Sequence, residues 1–414
     1  MPTTTMKPLK IMVIAGEASG DILAAELVKA LRRQITASAP GASQDHQPLR
    51  TSLEPAFFGA GGPRMAAAGV SLAVDMTRHS VIGLSDVVRK LAEFRRIFRG
   101  LHRLALERLP DLIICVDFSG FNRRFAHAIR KHVKRCTGPF SNWNPGLIQY
   151  VSPQVWASRE GRTYKVARDY DQLLTIFPFE KAWYARRVPH FLVEFVGHPM
   201  LDRYAELPIN SDGAATSDAK GPLLALLPGS RPGELSRHLP VMLQALKEIQ
   251  QRVPNVRARM VLPSPELVSQ AQAMGLPSVL QLQCGGLPEL LSRSTASIAS
   301  TGTVTMECAF FGVPTVALYK TSWSTYQVAK RIVKVKYLAM PNILADESLF
   351  PEFIQDAATP DSIAEATLEL LNDAPRRSRI RARLGEIVGS LGGPGASERA
   401  ASAVLALYHK RNPG

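Results

Sequence analysis

A chain of 414 residues with 46% apolar content and a net charge of +15 is long enough for two ordinary domains, each with its own core. No apolar run approaches the roughly 18 residues that would span a bilayer, and the opening MPTTTMKPLK lacks the apolar centre of a secretion signal. Cys115, Cys136, Cys284 and Cys308 are scattered without a C-x-x-C pair. They point to reduced thiols in a cytoplasmic protein, and to neither a zinc site nor a disulfide framework.

The basic excess suits an anionic partner (nucleic acid, a lipid surface or a phosphorylated substrate) without choosing among them. In chain order, KIMVIA at residues 10–15 predicts a strand, GEASGD at 16–21 a small-residue turn, and residues 22–33 a helix. That is the first unit of a doubly wound sheet, with a turn able to hold an anion. Neither a P-loop nor a G-x-G-x-x-G fingerprint is spelled there. Residues 36–55 read as an exposed insertion, and FFGAGGPRM at 57–65 as a second strand and turn. Over residues 80–104, Val87, Leu91, Phe94, Phe98 and Leu101 recur at helical spacing, with Arg89, Lys90, Arg95, Arg96, Arg99 and Arg103 on the remainder. Such a helix either packs on a core with a solvated back or lies on anionic lipid, and the pattern alone allows both.

PDLIICVDFSGFN, residues 110–122, combines a short apolar run with an acid, Asp117, where the strand should leave the sheet. The crevice beyond the carboxyl ends of strands is where open α/β sheets bind ligands; a helix cap or a solvated loop is the alternative for one such Asp. A helix over 122–135 and strands at 147–151, 173–177 and 191–196 complete the first half. Polar residues 205–220 predict a linker, dividing the chain into domains 1–204 and 221–414. The pattern then restarts with strands at 223–227, 259–262, 279–283, 297–300 and 315–318, and helices at 235–251, 304–311 and 361–371. The final helix, 398–410, could pack back on the first domain or on a partner subunit.

In the second half PGSR places Ser230 and Arg231 just past a strand, and STGTVTME places Gly302 and Thr303 at a helix start with Glu307 one turn on. Either turn alone reads as an ordinary loop. Together they suit a nucleoside diphosphate, with amides and Arg231 on the phosphates and Glu307 on the ribose. The histidines show no metal spacing; His127 and His132 read as surface residues. His198, in a strand-end turn, fits a structural hydrogen bond at least as well as a site. Trp156, Trp183 and Tyr184 near basic residues do not make a nucleic-acid motif.

GEASGD, GAGGPRM, GLSDVV, VDFSGFN, YVSPQVWA, PFEKAWY, FVGHPM, LLPGSR, STGTVTMECA and MPN, in this order from Met12 to Asn342, resemble the lipid-A-disaccharide synthase family. The resemblance implies the GT-B fold, two Rossmann-like α/β domains facing an interdomain cleft. It implies an inverting, metal- and cofactor-independent glycosyl transfer from UDP-2,3-diacylglucosamine to 2,3-diacylglucosamine 1-phosphate (lipid X). The products are a β-1,6-linked disaccharide phosphate and UDP, at the cytoplasmic face of the inner membrane. Asp117 matches the family's essential aspartate and Asn122 the closing Asn of that motif, while Ser230, Arg231, Glu307 and Asn342 match positions tied to UDP. Glu17 is the second choice of base, and Ser19, Gly20, Asp21, Asn122 and His198 are assigned to the acceptor side or cleft. Val87, Leu91, Phe94, Arg95, Phe98 and Arg99 are assigned to the membrane. No nucleic acid is expected, and a homodimer stays open.

Three departures stand out. Ser119-Gly120 replaces the family's Pro-Asp, removing a second acid; Asp86 stands for a usual Glu; Ser158 replaces a common Trp. Rival readings are another GT-B UDP-sugar transferase or epimerase, a basic RNA-binding protein, and a relative that binds without catalysing.

Overall fold

The computed structural model describes residues 8–37, 54–77, 87–136, 138, 142–207 and 221–413, except for the side chains of 87–91. Most of the expected insertion and linker, together with Asp86, therefore lies outside the described residues. The chain forms two compact units, Met1–Ala205 with Leu391–Gly414, and Glu206–Ser390.

The sheet of the first unit has seven strands: β1 (Lys10–Ala15), β2 (Ala56–Gly61), β3 (Ser71–Asp75), β4 (Leu112–Val116), β5 (Gly146–Tyr150), β6 (Gln172–Thr175) and β7 (Leu192–Phe195). They are parallel, in the order β3-β2-β1-β4-β5-β6-β7. The second unit has β8 (Leu223–Leu227), β9 (Arg257–Leu262), β10 (Leu280–Cys284), β11 (Ala296–Ser300), β12 (Thr315–Tyr319) and β13 (Glu352–Ile354). Their order is β10-β9-β8-β11-β12-β13, again parallel. The central strands β4, β5, β8 and β11 are buried at every position, as a parallel sheet covered on both faces requires. That is why they read as small or apolar runs, broken only by Gln149 in β5. The edge strands β3 and β13 contain no fully buried residue, and their sequences carried no such run.

Each sheet reverses its winding between its first and fourth strands, β1/β4 and β8/β11. Ligands of doubly wound sheets bind at that switch point, outside the carboxyl ends of the strands. Both pairs of predicted site turns emerge there.

One expected boundary is corrected. The second unit ends at Ser390, because the chain's last segment packs on the first. The helix Ala396–Arg411 lies against Ala18–Ala37. Asp202 caps its start, accepting from the amides of Gly395, Ala396 and Ser397, and Glu398 pairs with Arg33 and Gln34. A carboxylate on free N-terminal amides meets both their unmet hydrogen bonds and the helix dipole.

The helix Val87–Arg108 brings a second correction. Phe94 and Phe98, assigned to a lipid surface, are half-buried and pack on the core of the first unit. Phe98 meets Phe121 and Phe125 edge-on at 5.6 and 5.8 Å, and Phe94 lies 6.4 Å from Phe118. The four-and-three spacing makes an apolar stripe whichever surface receives it, and here an aromatic column does. Arg95, Arg96, Arg99 and Arg103 remain exposed. The Val87 and Leu91 side chains fall outside the described residues.

Candidate active site at two sheet switch points

In the first unit, β1 and β4 pair in register, Ala15 beside Val116, so the turn after each leaves the same edge. Asp117 and Phe118 both take left-handed backbone, with φ of 48° and 41°. Each non-glycine residue so held costs about 1–3 kcal/mol, and persists only where its surroundings impose it. The imposing contacts are visible. The Asp117 amide donates to the Tyr150 carbonyl at 2.9 Å. Its own carbonyl accepts from the Asn122 carboxamide at 2.9 Å and lies 3.2 Å from that of Gln149. Both amides are buried. Asn122 thus positions the acid rather than lining an acceptor site, and Gln149, a polar residue inside a buried strand, does the same from β5.

Gly16 is needed here for space, since a Cβ on it would overlap the Phe118 ring. A Cβ on Gly20 would lie 3.8 Å from that of Asp117. The GEASGD turn and Asp117 are therefore brought together, with Glu17 half-buried and Ser19 exposed nearby in the turn.

Asp21 is not part of this cluster. It is 2% exposed, and its carboxylate accepts from the amides of Gly62, Arg64 and Met65 at 2.8–3.0 Å. It holds the start of the helix Pro63–Ala67, a scaffold duty. His198 is likewise structural. Its ring accepts from the Met200 amide at 3.2 Å, and its own amide donates to the Leu391 carbonyl. Burial, aided by nearby Arg203, keeps it neutral with a pKa pushed down to about 4.

Beyond β5 the SPQVW loop holds a group that motif reading missed. Glu180, 1% exposed, accepts from the indole of Trp156 at 3.0 Å and the Phe177 amide at 3.2 Å. Burial pushes its pKa from 4.5 up to about 7. The folded protein therefore keeps this proton at pH values where the unfolded chain has lost it. Stability from Glu180 is full below about pH 4.5 and is lost as pH rises to about 7, by roughly 3 kcal/mol. Urea unfolding of wild type and Glu180→Gln across pH 4.5–7.5 should show that difference appear; parallel curves would contradict it.

In the second unit β8 and β11 pair with Leu227 beside Ala299, so the turns PGSR and STGT are neighbours. Gly229 has φ 121°, and a Cβ there would overlap the Glu234 carboxylate. That carboxylate accepts from the Ser230 amide at 3.1 Å and stands 3.9 Å from Arg231, whose side chain is 63% exposed. Gly302 and Thr303, both exposed, open the helix Thr303–Phe310, and Glu307 is half-buried one turn on. A guanidinium beside helix-start amides is an arrangement suited to phosphate.

His238 fastens this corner. Since a carbonyl can only accept, its Nδ1–H donates to Pro228 at 2.7 Å, while Nε2 accepts from the Lys320 amide at 3.0 Å. Burial lowers its pKa. Asn342, expected at the nucleotide, is corrected. It is fully buried, donates to the Phe350 carbonyl and the Glu352 carboxylate, and accepts from the Phe350 amide. Its amide is consumed in tying the helix Met340–Ala345 to β13. Among the described residues no group of His, Cys, Asp and Glu could hold a metal ion.

Residues 11–407 match the family model described as lipid-A-disaccharide synthetase. A lipid-A-disaccharide synthase of Trichlorobacter lovleyi is 37% identical over 412 residues, spanning 98% of this chain and 99% of that one. Among solved structures, the S. aureus MnaA–UDP co-structure has a TM-score of 0.59 at 14% identity, covering 98% of this chain and 97% of that one. The calicheamicin glycosyltransferase CalG4 has a TM-score of 0.54 at 16% identity, covering 99% and 100%. At such identities these two speak for the fold, two Rossmann-like parallel-sheet domains of the GT-B type. With the match running through both switch-point turns and at more than one third identity over nearly its whole length, the chain belongs to the lipid-A-disaccharide synthase family.

Proposed function

We propose that the protein transfers the sugar of UDP-2,3-diacylglucosamine to the 6-hydroxyl of 2,3-diacylglucosamine 1-phosphate, forming a β-1,6 bond and releasing UDP. The observation that carries this reading is Asp117, held in left-handed backbone by Asn122 and Gln149 at the switch point of the first sheet. An alcohol is a poor nucleophile until its proton is removed. Asp117 takes that proton as the acceptor oxygen bonds to the anomeric carbon from the face opposite the departing UDP, inverting that centre. Charge growing on the diphosphate is met by Arg231 and by the amides at Gly302 and Thr303. Glu307 serves the ribose.

Both substrates are anionic lipids, so the enzyme works at the cytoplasmic face of the inner membrane. No helix of the described residues is long and apolar enough to cross a membrane. Contact through exposed Arg95, Arg96, Arg99 and Arg103 is worth about 1 kcal/mol for each charge near an anionic surface.

The decisive experiment mixes purified protein with acylated donor and acceptor and follows UDP release and the configuration of the new linkage. UDP appearing only with both lipids, and a β product, is expected. Equal turnover of a non-acylated UDP-sugar would favour a soluble transferase or epimerase. Tight substrate binding without UDP release would make Ser119-Gly120 the mark of a catalytically lost relative.

A further inference from the structure

A cavity of about 300 Å³, lined by none of the switch-point residues named above, is formed by Arg123, Arg124, His127, Lys165, Arg168 and Asp169. It lies between the helices Ser119–Cys136 and Thr163–Asp169 of the first unit. The acids of this face are already committed. Asp169 is gripped at both oxygens by Arg168, at 2.8 and 2.9 Å, with His127 at 3.1 Å. Asp171 is held by Arg130 and Arg411. Among the described residues none offers the side chain of Arg123, Arg124 or Lys165 a hydrogen bond or ion pair, and Arg123 is half-buried. Crowding is felt beside it: burial lowers the pKa of Arg162, with the charges of Arg159, Arg123 and Arg124 adding to the effect.

Like charges gathered around one concavity, with local carboxylates used up, are stabilised by an outside anion. Guanidinium forks match phosphate oxygens two at a time, and a monoester brings nearly two negative charges at pH 7. The volume, at the lower end for ligand sites, suits a small ester or a headgroup. We propose that this cavity is a binding site for a phosphate monoester, held by Arg123, Arg124 and Lys165 with Arg168 fixed beside them by Asp169. Its test uses binding rather than turnover, so it can fail without the transferase reading failing.

The full chain is titrated with glycerol 3-phosphate in solution, and with phosphatidylcholine vesicles carrying phosphatidic acid or phosphatidylglycerol at matched surface charge. Saturable binding of glycerol 3-phosphate identifies a free ester as the source. A preference for phosphatidic acid without it identifies a lipid headgroup. In either case the triple variant Arg123→Gln, Arg124→Gln, Lys165→Gln should weaken binding at least about tenfold, a change worth roughly 1.4 kcal/mol. Lys165→Glu alone, at an exposed position that does not threaten folding, should weaken it in the same direction. Equal binding of both vesicle types with none of the soluble ester, or variants that bind as wild type does, would overturn the site.

Discussion

Asp117→Asn is expected to lose turnover by about 10²- to 10⁴-fold or more, the range for removal of a general base, while UDP affinity stays near that of wild type. The substitution is informative because Asn is one of the few residues that tolerates left-handed backbone. The φ of 48° at this position can therefore survive, as can the main-chain bonds to Tyr150 and Asn122. What disappears is the carboxylate's basicity. Single-turnover UDP release measured beside UDP titration separates the two effects. Undiminished release would remove Asp117 from the chemistry and turn attention to Glu17. A parallel loss of UDP affinity would mean that the residue serves binding.

Gly16→Ala should be nearly as damaging, without touching a reacting group. The added methyl overlaps the Phe118 ring. That ring cannot swing freely, because it stacks on Phe121 at 5.7 Å and lies 6.4 Å from Phe94. Relief must come through the backbone of residues 117–118. Overpacking of this kind costs about 1–3 kcal/mol, and a displacement near 1 Å of a reacting group is worth on the order of 10²-fold in rate. Pairing Gly16→Ala with Phe118→Ala restores the space, so the two stability losses should be less than additive. Independent, additive losses in urea unfolding would show that the glycine is needed for some other reason.

How legible a residue was depended on where its partners lie. Central strands such as Leu112–Val116 and Leu223–Leu227 announce themselves, because burial on both faces demands an apolar run. Ser71–Asp75 and Glu352–Ile354, half-exposed at their sheets' edges, give no such sign. The two switch-point turns could be located, since small residues after a strand mark the place where ligands bind. Motifs could not say which polar residue faces a ligand and which holds the frame. Asp21 and Asn342 stand among plausible ligand-binding residues, yet their partners are backbone groups of Gly62 and Phe350, brought near only by folding. His238 is fixed by Lys320, far along the chain, and Glu180 by Trp156; neither pairing leaves a local signature. Gln149 did leave one, a carboxamide in an otherwise apolar strand.

The return of the last helix to the opening unit has a consequence for synthesis. The stretch Glu206–Ser390 leaves the ribosome uninterrupted and can close on itself while translation continues, as domains do. The part bearing Asp117 has no such freedom. Until the final segment is released, Asp202 lacks the amides it caps, and Ala18–Ala37 has one flank uncovered. A message truncated shortly after codon 390 would thus yield a finished second unit attached to a first unit unable to mature. Such a product should be recognised by its selective protease sensitivity before residue 206.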